Sequence, residues 1–225
     1  MYVYCSHKLH EGEVAWPDAP VLKIEQHEKI GENNSPCNTY IMHLPNHFGT
    51  HYDAPRHFNA NGPAIVDLPT EYFVFEEPDI LQISIPKNSA ECITREDIEP
   101  YAEQINNAKL LLIKTGNEKL RDTNVAAYKY RGPSAHPDFC KYLVENFPKL
   151  LCIGLDCLSL GAVSNDYATE AHHWLLGYYT EKFITVIEDM KMEPLEGKKI
   201  KNMVISPLRM IGVDSSPVTI IANVE

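Results

Sequence analysis

The sequence predicts a single mixed α/β domain with more strand than helix. Two continuous apolar runs, Lys109-Leu110-Leu111-Leu112-Ile113-Lys114-Thr115-Gly116 and Leu150-Leu151-Cys152-Ile153-Gly154-Leu155-Asp156, have the character of strands buried on both faces. Between them, Pro137 to Asn146 places Phe139, Leu143 and Phe147 on one helical face. Strand, helix and strand at this spacing form a βαβ unit with parallel strands. No linker, repeat or low-complexity segment divides the chain, and 225 residues suit one domain spanning residues 1–225.

The remaining elements follow in order. Tyr2 to His7 alternates as an edge strand does, and Glu11-Gly12 signals a turn. Trp16-Pro17-Asp18-Ala19-Pro20 carries two prolines and predicts an extended loop. Val21 to Glu25 and Asn38 to Leu44 predict strands, as do the apolar, β-branched stretches Val66 to Phe75 and Asp79 to Ile85. Thr94 caps a predicted helix running to Ile105, with Asp97 three residues on. Ser134 is the expected cap of the helix at Pro137. Phe183 to Glu188, Met203 to Leu208 and Val218 to Asn223 close the chain as strands.

Composition excludes several classes of function. Acidic residues outnumber Lys and Arg by 31 to 20, and the formal charge of −11 argues against nucleic-acid and anionic-membrane partners. Met1-Tyr2-Val3-Tyr4-Cys5 lacks the basic and apolar stretches of a signal peptide, and no apolar run approaches membrane-spanning length. Six cysteines without a Cys-x-x-Cys pair read as reduced thiols of a cytoplasmic protein, with Cys152 and Cys157 as core rather than ligands. There is no Gly-x-Ser-x-Gly elbow, phosphate loop or dinucleotide fingerprint.

The chemistry concentrates in His47-Phe48-Gly49-Thr50-His51-Tyr52-Asp53-Ala54-Pro55-Arg56-His57. In an extended backbone, His47, His51, Asp53 and His57 project to one face. A helix would turn Asp53 away from the histidines, and Pro55 disfavours helix here. Gly49 leaves room for the imidazoles to converge. Imidazole nitrogens with a carboxylate are a ligand set for a first-row transition metal.

His-x-Gly-Thr-His-x-Asp-x-Pro-x-His resembles the signature of the metal-dependent cyclase and hydrolase family that includes bacterial kynurenine formamidase and isatin hydrolase. Lys114 to Lys119, Ile153 to Ser159, Ser206-Pro207-Leu208 and Asp214 to Val218 resemble further pieces of that family in order along the chain. The resemblance implies a domain of the swivelling β/β/α type, a homodimer or larger oligomer, and one or two Zn²⁺ or Mn²⁺ ions. It also implies two more ligands. Ala171-His172-His173-Trp174-Leu175-Leu176 and Ile187-Glu188-Asp189-Met190 are similar to segments that supply a histidine and a glutamate, so His172 and Glu188 join His47, His51 and Asp53 as metal ligands. The interval between them carries an apparent insertion, Tyr178 to Lys182, which leaves His173 as a competitor for His172.

A bound Zn²⁺ or Mn²⁺ lowers the pKa of water from 15.7 toward about 7 and polarises a carbonyl. The resemblance assigns His57 an acid/base role, which suits an imidazole whose ordinary pKa is ~6.5; a third ligand, or a partner that supports the ligands from behind, is the competing role. Asp156 with Ser159 could suggest a Ser-His-Asp site, but Asp156 at a strand end supporting the pocket is the preferred reading. The expected activity is hydrolysis of a small-molecule amide, an N-formyl aryl amide or a cyclic amide. The competing class is a non-catalytic metal- and ligand-binding protein, which has no need of a free acid/base. Trp16, Phe48 and Tyr52 are candidates to stack on an aromatic substrate.

Overall fold

The computed structural model describes residues 1–225. In chain order the elements are β1 (Tyr2–Tyr4), β2 (Lys23–Glu28), β3 (Thr39–His43), β4 (His51–Asp53), β5 (Val74–Glu76), β6 (Ile80–Ser84), β7 (Cys92–Ile93), α1 (Arg95–Ile98), α2 (Ala102–Ile105) and β8 (Leu110–Lys114). They continue as α3 (Glu118–Thr123), α4 (Val125–Arg131), β9 (Ser134–Ala135), α5 (Pro137–Asn146), β10 (Cys152–Leu155), α6 (Ala168–Leu175), β11 (Thr185–Glu188), β12 (Ile200–Pro207) and β13 (Ser215–Val224).

One mixed sheet of nine strands organises the chain, in the order β5-β12-β13-β4-β11-β10-β8-β6, with β1 added along β13. β6, β8, β10 and β11 run parallel, and β4 enters antiparallel between β11 and β13. The outermost strands of this path, β5 and β6, are joined by only Glu77, Pro78 and Asp79. Such a link reaches roughly 14 Å at full extension, whereas a flat sheet would separate the two strands by about 34 Å. The sheet therefore curls almost into a barrel.

The apolar runs read from the sequence are the strands that separate two cores. Along β8, Leu110 and Leu112 face the barrel interior with Tyr52, Ile187, Met203 and Ile220. Leu111 and Ile113 face outward onto Phe139 and Leu143 of α5 and Leu175 of α6. Burial on both faces removes the polar half of the usual alternation, which is why β8 and β10 read as continuous apolar runs. Each such side chain contributes about 1.5–3 kcal/mol by leaving water. β2 and β3 form a separate ribbon with most residues exposed. No helix is long and apolar enough to cross a membrane, and all six cysteines are free thiols.

Several expectations are corrected. Val66 to Phe75 is not one strand: two 3-10 turns, Ile65–Asp67 and Thr70–Tyr72, precede the short β5. The helix expected from Thr94 to Ile105 is interrupted by a 3-10 turn at Glu99–Tyr101, because Pro100 lacks the amide a continuous helix needs. Ser134 lies in β9, and His136 caps α5 instead, its Nδ1 accepting from the Asp138 amide. The metal motif is also not one extended run. Only His51–Asp53 is strand; His47 to Thr50 is a bend, and Pro55–His57 is a 3-10 turn.

Candidate metal centre

β4 supplies two of the expected ligands by strand alternation. His51 and Asp53 share one face, while Tyr52 points into the barrel core between them. The pairing register sets His51 directly opposite Glu188 of β11, where side chains on one face stand about 5 Å apart. His47 reaches the same place through a bend at Gly49, whose φ of +63° belongs to the left-handed region. A Cβ at Gly49 would also collide with Leu9. The 3-10 turn after Pro55 brings His57 back over Asp53, and α6 lays His172 above Glu188.

The donor atoms converge. His47 Nδ1 lies 3.1 Å from Asp53 Oδ1, and His51 Nε2 lies 3.6 Å from the same oxygen and 3.2 Å from Glu188 Oε2. His172 Nε2 is 3.5 Å from Glu188 Oε1. Two groups of close ligand atoms share Asp53: His47–Asp53–His57 and His51–Asp53–Glu188. Hydrogen bonds behind the rings orient them. His51 Nδ1–H donates to the Gly49 carbonyl at 2.8 Å, and His172 Nδ1–H to the Ala168 carbonyl at 2.6 Å. His47 Nε2 meets Asp214 Oδ2 at 3.1 Å and Ser215 Oγ at 2.9 Å. Each imidazole thus presents its other nitrogen to the carboxylates. Ser159 Oγ and the Leu160 amide donate to Glu188 Oε1 at 2.9 and 2.6 Å.

Asp53 decides what the cluster is for. It is fully buried, and neither carboxylate oxygen accepts a hydrogen bond; His51 Nε2 also lacks a partner. Burying a carboxylate costs several kcal/mol of desolvation, which only the neighbouring imidazoles offset here. A divalent cation among these donors removes that cost, and imidazole nitrogens with carboxylate oxygens fit zinc or manganese.

The charges within the protein show the same demand. Burial lowers the pKa of His51 and of His172, but Asp53 and Glu188 outweigh it and raise both above the ordinary imidazole value. His47 is raised to about 10 against its own burial by its hydrogen bond to Asp214 and by the negative charges of Asp53 and Asp214. Glu188 is held well below the carboxylate range, despite burial, by His172 and His51. In the metal-free state His47 therefore carries a proton at neutral pH, and His51 and His172 hold theirs more firmly than a free imidazole, so a cation must displace protons. Because lower pH fills those sites more firmly, affinity for Zn²⁺ is expected to fall as pH is lowered from about 8 to about 6. Calorimetric titration in buffers of different ionisation enthalpy measures the proton release, and a release of zero would contradict this placement of the rings.

The cluster floors a cavity of about 360 Å³, a size suited to a small molecule. Trp16, Phe58 and Leu158 supply much of its apolar wall, and His57 faces it. Trp16 is thus where the sequence reading placed it, but Phe48 and Tyr52 are not. Phe48 is fully buried in a small cluster with Ala15 and Leu22. Tyr52 lies in the barrel core with its hydroxyl against Thr185 Oγ1 at 2.5 Å. His173 is separated from the ligands, stacked on Tyr178 at 4.1 Å, so His172 is the histidine brought to Glu188. Asp156 does not support the pocket. It accepts the Thr115 amide and hydroxyl and the Gly116 amide, tying the ends of β8 and β10 together.

Three contributors were missed in the sequence. Phe58 stacks on His172 at 4.3 Å and packs edge-on against His57 at 4.6 Å. Ser159 holds Glu188. Asp214 is the third: its Oδ2 accepts His57 Nδ1–H at 2.8 Å as well as meeting His47, and Asn46 Nδ2 donates to Oδ1 at 2.7 Å. Phe58 adjoins the motif and Asp214 opens one of the resembling segments, so position in the chain was the only signal for either.

Comparison with known proteins gives a consistent pattern. The Cyclase family model matches residues 3–162. An uncharacterized protein of Haemophilus influenzae is 40% identical over 121 residues, covering 54% of this chain and 84% of that protein. The kynurenine formamidase of Bacillus cereus is 25% identical over 217 residues, 96% of this chain and 94% of that enzyme. Among solved structures, isatin hydrolase A from Labrenzia aggregata bound to benzyl benzoate superposes with a TM-score of 0.79 at 20% identity, over 99% of this chain and 93% of that one. A predicted metal-dependent hydrolase from Bacillus stearothermophilus gives 0.72 at 18%, over 99% and 97%.

Proposed function

The chain belongs to the cyclase family, and from that premise we propose that it is a metal-dependent hydrolase acting on a small amide. The observation that carries the proposal is the buried carboxylate of Asp53, without a hydrogen bond, beneath the His47 and His51 side chains that line the cavity. His47, His51, Asp53, His172 and Glu188 would hold the cation or cations. Zn²⁺ and Mn²⁺ are the ions this donor set favours. A cation there supplies Lewis-acid polarisation of the amide carbonyl and a more acidic water.

The chain's own groups supply the rest. Trp16 and Phe58 flank the cavity and seat an aryl group, burying apolar surface and excluding water. Asp214 accepts His57 Nδ1–H and leaves Nε2 facing the cavity. His57 takes a proton at Nε2 from the attacking water and returns it to the leaving nitrogen. Water thereby adds across the C–N bond, giving a carboxylate and an amine. Kynurenine formamidase among the relatives and isatin hydrolase among the structural neighbours point to an N-formyl aryl amide or a cyclic aryl amide as substrate.

Metal analysis of the purified protein, followed by a hydrolysis screen of N-formyl anilides and isatin, tests the proposal. Bound Zn²⁺ or Mn²⁺ and metal-dependent turnover are expected. Bound metal without turnover of any amide would leave the competing reading, a metal- and ligand-binding protein on the same fold.

A further inference from the structure

Behind the metal ligands lies a buried ionic cluster that hydrolysis as described does not use. Asp189 follows Glu188 and adopts a φ of 50°. That conformation is uncommon outside glycine, although Asp adopts it more readily than most residues. Here the surroundings are explicit. Arg121 of α3, 4% exposed, donates from Nε and Nη2 to the Asp189 carboxylate at 2.8 and 2.9 Å. Tyr128 of α4 donates its hydroxyl to the same carboxylate at 2.5 Å, and Thr50 Oγ1 donates to the Asp189 carbonyl at 2.6 Å.

The remaining arm of the guanidinium points elsewhere. Arg121 Nη1 lies 3.0 Å from Oε1 of Glu13, another buried carboxylate. Glu13 also accepts the Val14 amide at 2.7 Å and sits 3.2 Å from His10 Nε2. Directly after Glu13 come Val14, Ala15, Trp16 and Ala19, which wall the cavity above the metal ligands. One guanidinium thus bridges the residue beside a metal ligand and the residue beside the substrate-facing wall.

We propose that Arg121 is a positioning residue that clamps the Glu188 end of β11 and the Trp16-bearing segment to each other, so that metal affinity and substrate affinity both depend on it. Stability alone accounts poorly for such a group, because buried ion pairs are replaced by apolar residues at little or no cost. Its planar fork reaches both carboxylates at once, which a lysine cannot reproduce. The packing of Ala15 against Phe48 and Leu22 anchors the same wall independently. The proposal therefore requires that Glu13 add to that packing.

The KM arm of the test rests on the hydrolase reading; the other two arms do not. Arg121→Lys, Glu13→Gln and Asp189→Asn are compared with wild type in Zn²⁺ titration calorimetry, in KM for formanilide and in Trp16 emission on a Trp174→Phe background. Asp189→Asn and Arg121→Lys are expected to weaken Zn²⁺ binding about tenfold, the scale of lost outer support at metal sites. Arg121→Lys and Glu13→Gln are expected to raise KM several-fold and red-shift Trp16 emission, while Glu13→Gln keeps wild-type Zn²⁺ affinity. Wild-type Zn²⁺ affinity in Arg121→Lys, or wild-type Trp16 emission and KM in Glu13→Gln, overturns the clamp. If Arg121→Lys does not fold, Asp189→Asn must show the Zn²⁺ loss and Glu13→Gln the wall effects, or the clamp is overturned. If the wild type cleaves no amide, the hydrolase reading fails while the Zn²⁺ and emission arms still judge the clamp.

Discussion

Asp53→Asn is expected to purify without stoichiometric metal and to lose the rise in melting temperature that a bound cation gives the wild type. Both effects follow from one feature. The wild-type carboxylate is fully buried between His47 and His51, so it is the anion among the imidazoles that a cation needs in order to displace their protons. Asparagine keeps the shape and sheds the charge, while losing the anionic ligand that both groups of donor atoms share. Only the wild type gains from metal, because a ligand that binds only the folded state stabilises by about 4 kcal/mol at a thousandfold excess over Kd. Metal content and melting temperature, each measured with and without a chelator, check the expectation. Full occupancy in the variant would remove Asp53 from the site, and His51→Ala provides the same check on the neighbouring ligand.

How much of this was legible in the sequence differs from element to element for physical reasons. β8 and β10 were readable because both their faces are buried, which leaves an unbroken apolar run. α3 and α4 were not: each buries one side chain, Arg121 and Tyr128, and neither shows an apolar stripe. α6 was missed because it spans only eight residues, with two histidines within it and no side-chain cap. The ligand types in the 47–57 segment were visible, but the way they converge was not. It depends on a left-handed glycine and a 3-10 turn rather than on uninterrupted strand alternation. Asp214 lies 157 residues from His57, and only the pairing of β13 with β4 brings their neighbourhoods together.

His57 is where a metal-binding protein and an enzyme part company. Its Nδ1–H is committed to Asp214 at 2.8 Å, its ring lies 4.0 Å from that of His47, and Nε2 stands 3.9 Å from Asp53 Oδ2. That distance is long for a hydrogen bond, so Nε2 is spoken for by no protein group and faces the cavity. His57→Ala is expected to keep stoichiometric metal and lose kcat by about 10²–10⁴-fold, the usual contribution of a general acid–base group. KM should change little, because Trp16 and Phe58 still wall the cavity, and the pH–rate profile should lose the limb that reports the imidazole. Asp214→Asn should reproduce part of that loss, since an amide oxygen accepts the Nδ1–H bond without the carboxylate's charge. Loss of metal along with activity in His57→Ala would instead make His57 a ligand, as its place in the His47–Asp53–His57 group allows. Retained metal with a near-normal rate would take the proton transfer away from His57, and it would not pass to His173, whose ring is stacked on Tyr178 outside the cavity.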